Sequence, residues 1–373
     1  MARQWSTSIL VLVCLSFLSL ILAPVHSALK TPSTRDEVVA SFQSWVDRVG
    51  AKTDAETILN KTEINLISCK AGDTVPAERV IVVDQNGGGD YTTINEAFSA
   101  VPPHNTDPIT IKVLPGTYFE RVVVPKNKRC ITLQGAGRDV TKITSSFVAN
   151  DTGTTYTTST FGVSASYFTA RNISFENSSP PPNGKRMHQA VALRTTGDFN
   201  AFYGCAFYGQ QDTLYDARGR HYFKDTLIVG SVDFIFGDGK SLYKDCELRV
   251  ISHRGGSITA QKRHNFSEDT GYSFVNCRVT GSGPTTAYLG RAWGPYSRVV
   301  FAFTEFADII DPVGWYTWDA ARESTVFYGE YKCFGPGANK SQRVKWAHEL
   351  NDTEAQPFVS LDYINGGLWV TEE

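Results

Sequence analysis

The sequence predicts an all-β fold, a parallel β-solenoid. After Val80, short β-rich runs such as RVIVVDQNG and ITIKVLPGTY alternate with Gly, Asn, Asp and Pro, as strands alternate with turns. Long stretches of helical periodicity are few, and a strand-like motif recurs along the same region. A repeat that consists of strands without helices between them is typical of a solenoid.

The recurring motif is a small or polar residue, then a strand-like stretch and often a turn. Its copies are ARNISFEN, FYGCAFYG, FKDTLIVG, YKDCELRV, FVNCRVTG and FAFTEFAD. Successive copies are 32, 21, 20, 31 and 27 residues apart when they are aligned on Ile173, Cys205, Thr226, Cys246, Cys277 and Thr304. The longer steps predict loops inserted in single coils. The alternative is a β-sandwich, but the Asn-Gly turns that sandwich hairpins favour are scarce.

The N-terminus has the pattern of a secretory signal. Arg3 is followed by an uncharged, mostly apolar run over 9–23 and small residues near Ser27, where we expect cleavage. The alternative is a membrane anchor, but the run is shorter than the ~20 residues that a span needs. We expect a signal peptide over 1–27, an N-terminal helix and linker over 28–79, and the β-solenoid domain over 80–373.

The predicted N-terminal helix covers residues 33–49, STRDEVVASFQSWVDRV. Ser33 or Thr34 can cap it, and apolar residues at helical spacing form one face. These apolar residues are Val38, Phe42, Trp45 and Val49.

Composition and charge narrow the class of protein. The 373 residues are 41% hydrophobic and 20% charged, with a formal net charge of −2. These values are typical of a globular protein, and they give no reason to expect binding to nucleic acid.

Secretion also changes how the cysteines are interpreted. An oxidising compartment permits disulfides among the six cysteines after the signal, although the sequence does not determine their pairing. The repeat predicts that Cys205, Cys246 and Cys277 are buried and stacked along the coil, and a Cys246–Cys277 bridge stays open as an alternative. Seven Asn-x-Ser/Thr sequons also suit a secreted chain.

The short repeat step brings distant polar residues together. Gln189 and Gln211 are 22 residues apart, and Asp212 and Asp233 are 21 residues apart. Residues one coil apart lie about 4.8 Å apart in a solenoid, so we expect these side chains on consecutive coils. The alternative for the two aspartates is a structural role in turns.

Two close carboxylates do not ionise independently, because the charge of one raises the pKa of the other. The charged one can act as nucleophile or base, the protonated one as acid, and the glutamine amides can stabilise an oxyanion. This set is suited to acyl transfer or to glycosidic cleavage.

The stretch YLGRAWGPYSRVVF adds a cation and an indole. Arg291 and Trp293 are two residues apart, so on a strand they share a face. Arg291 can hold a carboxylate ionised, and Trp293 offers a flat surface for a sugar ring. The alternative is a structural Arg–Asp pair beside a core tryptophan.

The motifs together resemble the plant pectin methylesterases (pectinesterases). GTYFERV, HQAVALR, QDTLY, DFIFG and LGRAW occur in that family's order, and the resemblance extends from Val80 to Trp369. It implies a right-handed parallel β-helix that hydrolyses the C6 methyl esters of homogalacturonan in the cell wall and releases methanol. It implies no metal or cofactor. The expected partners are pectin and a proteinaceous pectinesterase inhibitor, for a monomer with no membrane contact after signal removal.

The resemblance also implies roles for the site residues. Asp233 matches the nucleophile, Asp212 the general acid/base, and Gln211 and Gln189 the oxyanion-stabilising amides. Arg291 would hold Asp233 ionised, and Trp293 would contact the sugar. The chain departs from the family at Ala292, where proline is usual, at Gln210, where an aromatic residue is common, and just after DFIFG. The segment before Val80 is too short for the inhibitor-like bundle of many plant members.

Two other functions compete with the esterase. A β-helix depolymerase would need a different carboxylate cluster or a Ca²⁺ site, and no clear candidate is present. A non-catalytic pectin-binding wall protein would not need the intact set of candidate catalytic residues. No Gly-x-Ser-x-Gly, His-Glu-x-x-His or phosphate-loop motif occurs, and the scattered histidines suggest structural roles.

Overall fold

The structure is a computed structural model that describes Ala40, Cys69 and residues 79–181, 188–252, 255–281 and 287–371. All of these residues belong to one compact unit, Ser33–Glu373. The predicted signal segment lies outside the described residues, as does the predicted helix at 33–49 except for Ala40, which is helical. Within the described ranges, no helix is both long enough and apolar enough to span a membrane.

The strands form three sheets, named A, B and C, and every pairing between strands is parallel. Sheet A consists, in spatial order, of β1 (Arg79–Val83), β2 (Ile109–Val113), β5 (Ile131–Gly135), β8 (Phe168–Arg171), β11 (Asn200–Tyr203), β14 (Arg220–Lys224), β17 (Lys240–Lys244), β20 (Gly271–Val275), β23 (Arg298–Ala302), β26 (Phe327–Tyr331) and β27 (His348–Glu349). Sheet B consists of β3 (Gly116–Phe119), β6 (Thr141–Ser145), β9 (Ser174–Asn177), β12 (Ala206–Tyr208), β15 (Leu227–Gly230), β18 (Glu247–Val250), β21 (Arg278–Gly281) and β24 (Glu305–Phe306). Sheet C consists of β4 (Val122–Val124), β7 (Phe161–Val163), β10 (Leu193–Thr195), β13 (Leu214–Asp216), β16 (Ile235–Gly237), β19 (Ser257–Gln261), β22 (Tyr288–Arg291) and β25 (Trp315–Tyr316).

The chain visits the three sheets in turn, so that β11, β12 and β13 make one coil and β14, β15 and β16 the next. Each strand therefore pairs with the equivalent strand of the neighbouring coil. This arrangement is a parallel β-helix, and it confirms the fold class that the sequence predicts.

Helices are short in the described part of the chain. Its α-helices are α1 (Ile94–Ala100), α2 (Ala149–Thr152) and α3 (Asp352–Ala355). Turns of 3₁₀ helix span Thr155–Thr158, Ala320–Arg322, Pro336–Ala338, Gln356–Phe358, Leu361–Ile364 and Gly366–Leu368. Helix α1 was not predicted, although Thr93 and Glu96 form a capping box whose Thr-x-x-Glu signature is visible in the sequence.

The register of sheet B confirms the predicted repeat. Ser174 pairs with Ala206, which pairs with Leu227, and the ladder continues through Glu247 and Arg278. Each aligned repeat position lies one residue before a member of this ladder. All six aligned positions are buried, as expected for side chains that point into the coil.

The residue before each aligned position turns the chain from sheet A to sheet B. It has a positive φ in every copy, at Asn172, Gly204, Asp225, Asp245, Asn276 and Phe303. Glycine, asparagine and aspartate tolerate this left-handed conformation best, which explains the small or polar residue of the motif. We call this position the A–B corner.

Ring stacking joins the coils inside the helix. Phe202, Phe223, Tyr243, Phe274 and Phe301 occupy one row of sheet A, and adjacent rings are stacked with centroids 4.5–4.9 Å apart. One ring per coil repeats the same contact, so each coil supports its neighbours.

The cysteines are divided between a bridge and buried thiols. Cys69 forms a disulfide with Cys130, a pairing that the sequence could not specify. Cys205, Cys246 and Cys277 are free and buried, as the repeat predicted, and the alternative Cys246–Cys277 bridge does not form.

A buried polar network fixes the end of β13. The Asp216 carboxylate lies 2.5 Å from His221 Nδ1 and accepts a hydrogen bond of 2.7 Å from the Tyr243 hydroxyl. His221 Nε2 lies 2.8 Å from the Gly197 carbonyl oxygen. His221 therefore has the structural role that its isolation in the sequence suggested.

Candidate active site

A cleft of about 450 Å³ lies beside sheet C, and it contains all six residues that the sequence singled out. Gln189, Gln211, Asp212, Asp233, Arg291 and Trp293 line it together with Thr154, Thr155, Tyr156, Tyr215, Phe236, Ala260, Lys262 and Trp318. Residues more than 100 positions apart in the chain therefore meet in one cavity.

The strand register places the two aspartates on neighbouring coils. Leu214 of β13 pairs with Ile235 of β16. Asp212 lies two residues before Leu214, and Asp233 lies two residues before Ile235. The Asp212 amide donates to the Val232 carbonyl oxygen at 3.0 Å. The interval of 21 residues is thus one coil, as the sequence predicted.

Both aspartates have a left-handed backbone conformation, with φ of 67° at Asp212 and 48° at Asp233. They occupy the turn that enters sheet C, which we call the B–C corner. Aspartate adopts this conformation more readily than most residues, and such conformations are concentrated at functional sites.

Asp233 is held by an ion pair. Arg291 Nε donates to Asp233 Oδ1 at 2.8 Å, and Arg291 Nη2 donates to Oδ2. Burial raises the pKa of the Asp233 carboxyl above its ordinary value, and the hydrogen bonds and charge of Arg291 oppose that rise. The guanidinium also lies 4.0 Å from the ring centroid of Trp318, so Arg291 is fixed on two sides.

Asp212 is in a different environment. Its side chain is buried and has no ion-pair or hydrogen-bond partner among the described residues. Burial, and after it the charge of Asp233, raises the pKa of Asp212 well above its ordinary value. The pair therefore combines a carboxyl group whose rise in pKa is opposed by a bound arginine with a carboxyl group that has no such partner and tends to keep its proton.

The two glutamines reach the cleft from adjacent coils. The register pairs Leu193 with Leu214. The same offset places residue 190 opposite Gln211, so Gln189 lies one residue before that position. The Ala190 amide donates to the Gln211 carbonyl oxygen at 3.2 Å. Within the described ranges neither glutamine side chain has a hydrogen-bond partner, which leaves both amides free to donate to a ligand.

Aromatic rings that the sequence reasoning missed form the floor and wall of the cleft. Tyr215 stacks on Phe236 with ring centroids 4.3 Å apart, and Trp293 lies 6.0 Å from Phe236. Tyr156 meets Tyr215 edge to face at 6.4 Å. The signal for two of them was present, because Tyr215 and Phe236 each follow a candidate aspartate by three residues.

The segment that carries Trp293 differs from the prediction. Strand β22 ends at Arg291, so Trp293 reaches the cleft from the following loop and not from the alternation of a strand. Arg322 Nη1 donates to the carbonyl oxygens of Ala292 and Trp293 at 2.6 and 2.9 Å. These bonds hold the backbone at Ala292, where the sequence lacks the proline that would stiffen it.

The described residues contain no group of three or more His, Cys, Asp or Glu side chains that could hold a metal ion.

A parallel β-helix with a buried carboxylate pair, free amides and aromatic rings in one cleft has the features of an enzyme that acts on a polysaccharide, by acyl transfer or by glycosidic cleavage. The Pectinesterase family model matches residues 80–367. The chain belongs to the pectinesterase family, whose members are carboxylic ester hydrolases that demethylesterify pectin.

Curated relatives are similar over most of their length. Probable pectinesterase 8 of Arabidopsis thaliana is 45% identical over 300 residues, which cover 78% of this chain and 76% of that protein. Pectinesterase 1 of Olea europaea is 44% identical over 297 residues, which cover 78% of this chain and 80% of that protein.

Solved structures show the same architecture. The pectin methylesterase from carrot superposes with a TM-score of 0.74 at 36% identity, covering 78% of this chain and 94% of that one. A pectin methylesterase in complex with a hexasaccharide superposes with a TM-score of 0.67 at 26% identity, covering 78% of this chain and 98% of that one.

Proposed function

We propose that this protein hydrolyses the C6 methyl esters of homogalacturonan with Asp233 as nucleophile and Asp212 as general acid and base. The observation that carries the proposal is the contrast within the carboxylate pair: Asp233 is ion-paired with Arg291, and Asp212 is buried without a partner among the described residues. One group suited to attack and one suited to give up a proton lie on adjacent coils.

In the first half of the reaction, an ionised Asp233 oxygen attacks the carbonyl carbon of the ester. The carbonyl oxygen becomes an oxyanion, and the amides of Gln189 and Gln211 donate to it. The bond to the methoxy oxygen then breaks, and Asp212 gives its proton to the leaving methanol. The product is an acyl-enzyme in which Asp233 is joined to C6 of the sugar through an anhydride.

In the second half, Asp212 is an ionised base. It takes a proton from water, and the resulting hydroxide attacks the acyl carbon. The same amides meet the second oxyanion. Collapse breaks the bond to Asp233, releases the galacturonic acid carboxyl, which loses its proton to solvent, and returns Asp233 to its ion pair with Arg291.

The aromatic rings and cations of the cleft suit a polysaccharide. Tyr215, Trp293 and Trp318 offer flat apolar faces to sugar rings, and Lys262, 4.1 Å from the Trp293 ring centroid, offers positive charge to galacturonate carboxylates. The structure of a pectin methylesterase in complex with a hexasaccharide supports an oligosaccharide as the ligand. We propose pectin as the substrate partner, a proteinaceous inhibitor as a further partner, and a monomeric protein.

We further propose that the protein is secreted and acts in the cell wall, because pectin is found there. Five sequon asparagines, Asn150, Asn172, Asn265, Asn339 and Asn351, are exposed and accessible to glycosylation. Asn177 is buried, so its sequon is not available in the folded protein.

Methanol release from highly methylated pectin tests the proposed function. We expect wild-type protein to release methanol without new reducing ends or unsaturated products. Reducing ends would show a polygalacturonase and unsaturated products a lyase. Pectin binding without methanol release across pH 4–9 would show a non-catalytic wall protein.

A further inference from the structure

Asn177, the last residue of β9, is a buried amide whose hydrogen bonds converge on the wall of the cleft. The residue is 2% exposed. Asn177 Nδ2 lies 2.9 Å from the Phe147 carbonyl oxygen, 3.3 Å from that of Thr158 and 3.2 Å from that of Val191. Its Oδ1 accepts from the Ser179 amide at 3.1 Å.

These acceptors bracket the segment that forms one wall of the cleft. Phe147 and Thr158 lie at the two ends of residues 147–158, which include α2 and carry Thr154, Thr155 and Tyr156 into the cleft. A single amide therefore ties both ends of the wall segment. A loop held at both ends has less conformational freedom than one held at one end.

The third acceptor extends the connection to Gln189. The third acceptor is the carbonyl oxygen of Val191, which lies two residues after Gln189. On the wall segment, Ala149 lies two residues after the acceptor Phe147. The Ala149 amide donates to the Gln189 carbonyl oxygen at 3.0 Å, so the wall segment and the segment before β10 that carries Gln189 are joined at two successive points. Asn177 makes one of these junctions, and the Ala149 amide makes the other.

A further bond supports the same junction. Thr158 Oγ1 accepts from the Val191 amide at 3.0 Å. The amide of Val191 is thus bonded to the Thr158 side chain, and its carbonyl oxygen is bonded to the Asn177 side chain. Since the Gln189 side chain has no hydrogen-bond partner among the described residues, its direction depends on this backbone support.

We propose that Asn177 is a positioning residue for the esterase reaction, which acts by holding the backbone of Gln189 and the facing wall at the distance that oxyanion stabilisation needs. The proposal rests on the proposed function, in which the Gln189 amide donates to the oxyanion. Displacement of a catalytic group by a fraction of an ångström lowers turnover more than substrate binding.

The first test compares Asn177→Ala with Asn200→Ala. Asn200 is another fully buried asparagine of the helix, with Nδ2 donating to Thr195 Oγ1 and Oδ1 accepting from the Phe168 amide, and it does not line the cleft. We expect both variants to lower Tm, because each leaves buried polar groups unpaired. Only Asn177→Ala should lower kcat for methanol release, by about tenfold, with KM within about twofold of wild type.

A double-variant cycle separates positioning from general damage. In the Gln189→Ala background, Asn177→Ala should lower kcat by less than about twofold, because the group that Asn177 positions is already absent. Equal loss in both backgrounds, or equal loss of kcat in Asn177→Ala and Asn200→Ala, would overturn the proposal. Full activity of Gln189→Ala would instead refute the role of Gln189 in the proposed function.

If Asn177→Ala does not fold, Thr158 provides the same test. Thr158→Val removes the oxygen that accepts from the Val191 amide, and Thr158→Ser keeps it. We expect Thr158→Val to lower kcat about tenfold and Thr158→Ser to retain wild-type kcat within about twofold. Equal kcat in the two folded variants would overturn the proposal.

Discussion

The A–B corner and the B–C corner use the same residue in the same conformation for different purposes. Asp225 and Asp245 at the first corner have φ of 52° and 57°, and Asp212 and Asp233 at the second have φ of 67° and 48°. The Asp225 side chain is 62% exposed and the Asp245 side chain 21%, whereas Asp212 and Asp233 are buried. Backbone geometry therefore does not distinguish a turn aspartate from a candidate catalytic one.

The difference lies in the surroundings of the carboxylates. Asp245 Oδ2 accepts from Lys224 Nζ at 2.8 Å, and Asn276 donates to its other oxygen. At the B–C corner one arginine faces two buried carboxylates, so one carboxyl group stays without a partner among the described residues. Burial combined with an incomplete set of partners is what raises a carboxyl pKa.

The substitution with the largest expected effect on activity is Asp233→Asn. An amide cannot attack the ester, so we expect methanol release to fall by about 10⁴-fold or more, as for loss of a nucleophile in other hydrolases. Circular dichroism should show an intact β-helix, because asparagine also tolerates the left-handed conformation. A folded variant with a tenth of wild-type activity would refute the nucleophile assignment.

Asp212→Asn comes next in expected size. The variant cannot donate or accept the proton of the leaving methanol, and loss of a general acid–base typically costs 10²–10⁴-fold. We expect kcat to fall by about 10³-fold with little change in KM, measured by initial rates on methylated pectin. A loss below tenfold would assign the proton transfer to another group.

Much of the fold and of the candidate site could be predicted from the sequence. The repeat gave the coil steps, the buried row that includes Cys205, and the adjacency of Asp212 and Asp233, because each depends only on chain spacing in a regular helix. The same spacing would have placed Tyr215 over Phe236, had the rings been compared as the aspartates were.

Other parts of the molecule have no such signal. Trp318 comes from a loop outside the repeat, and the Cys69–Cys130 bridge joins the helix to a segment before it. The burial of a given aspartate depends on the loops around it, such as the segment of Tyr156, which lines the same cleft as Asp212. Loop packing follows no period, so spacing alone could not separate Asp212 from Asp245.

Gln211→Ala tests whether the free amides of the B–C corner have a function. Removing one oxyanion donor should lower kcat by about 10²-fold, and Tm should hardly change because the amide has no partner among the described residues. Gln210→Ala is the matched control, since Gln210 does not line the cleft and should keep wild-type kcat. Similar losses in the two variants would indicate a general effect of the turn.

The pKa of Asp212 also predicts how stability depends on pH. Because folding raises this pKa, the folded state binds the proton more tightly than the unfolded state, whose carboxyl titrates near ~3.9. This contribution to stability is present at low pH and is lost as pH rises through the folded pKa. We expect Tm of Asp212→Asn to exceed that of wild type by a few degrees at pH 8, with the difference smaller at pH 4. A variant less stable than wild type at pH 8 would contradict this assignment.

The smallest expected effect is at the A–B corner. Asp245→Asn keeps a residue that tolerates positive φ and removes only the charge that pairs with Lys224. Partly exposed ion pairs contribute about 0–1 kcal/mol, so we expect Tm to fall by no more than a few degrees and methanol release to stay within about twofold of wild type. Thermal unfolding and the same initial-rate assay measure both quantities.

Since Asp245→Asn and Asp233→Asn make the same chemical change at the same backbone conformation, the ratio of their effects on kcat isolates the contribution of the buried site. A ratio near one would mean that burial at the B–C corner does not create the catalytic group.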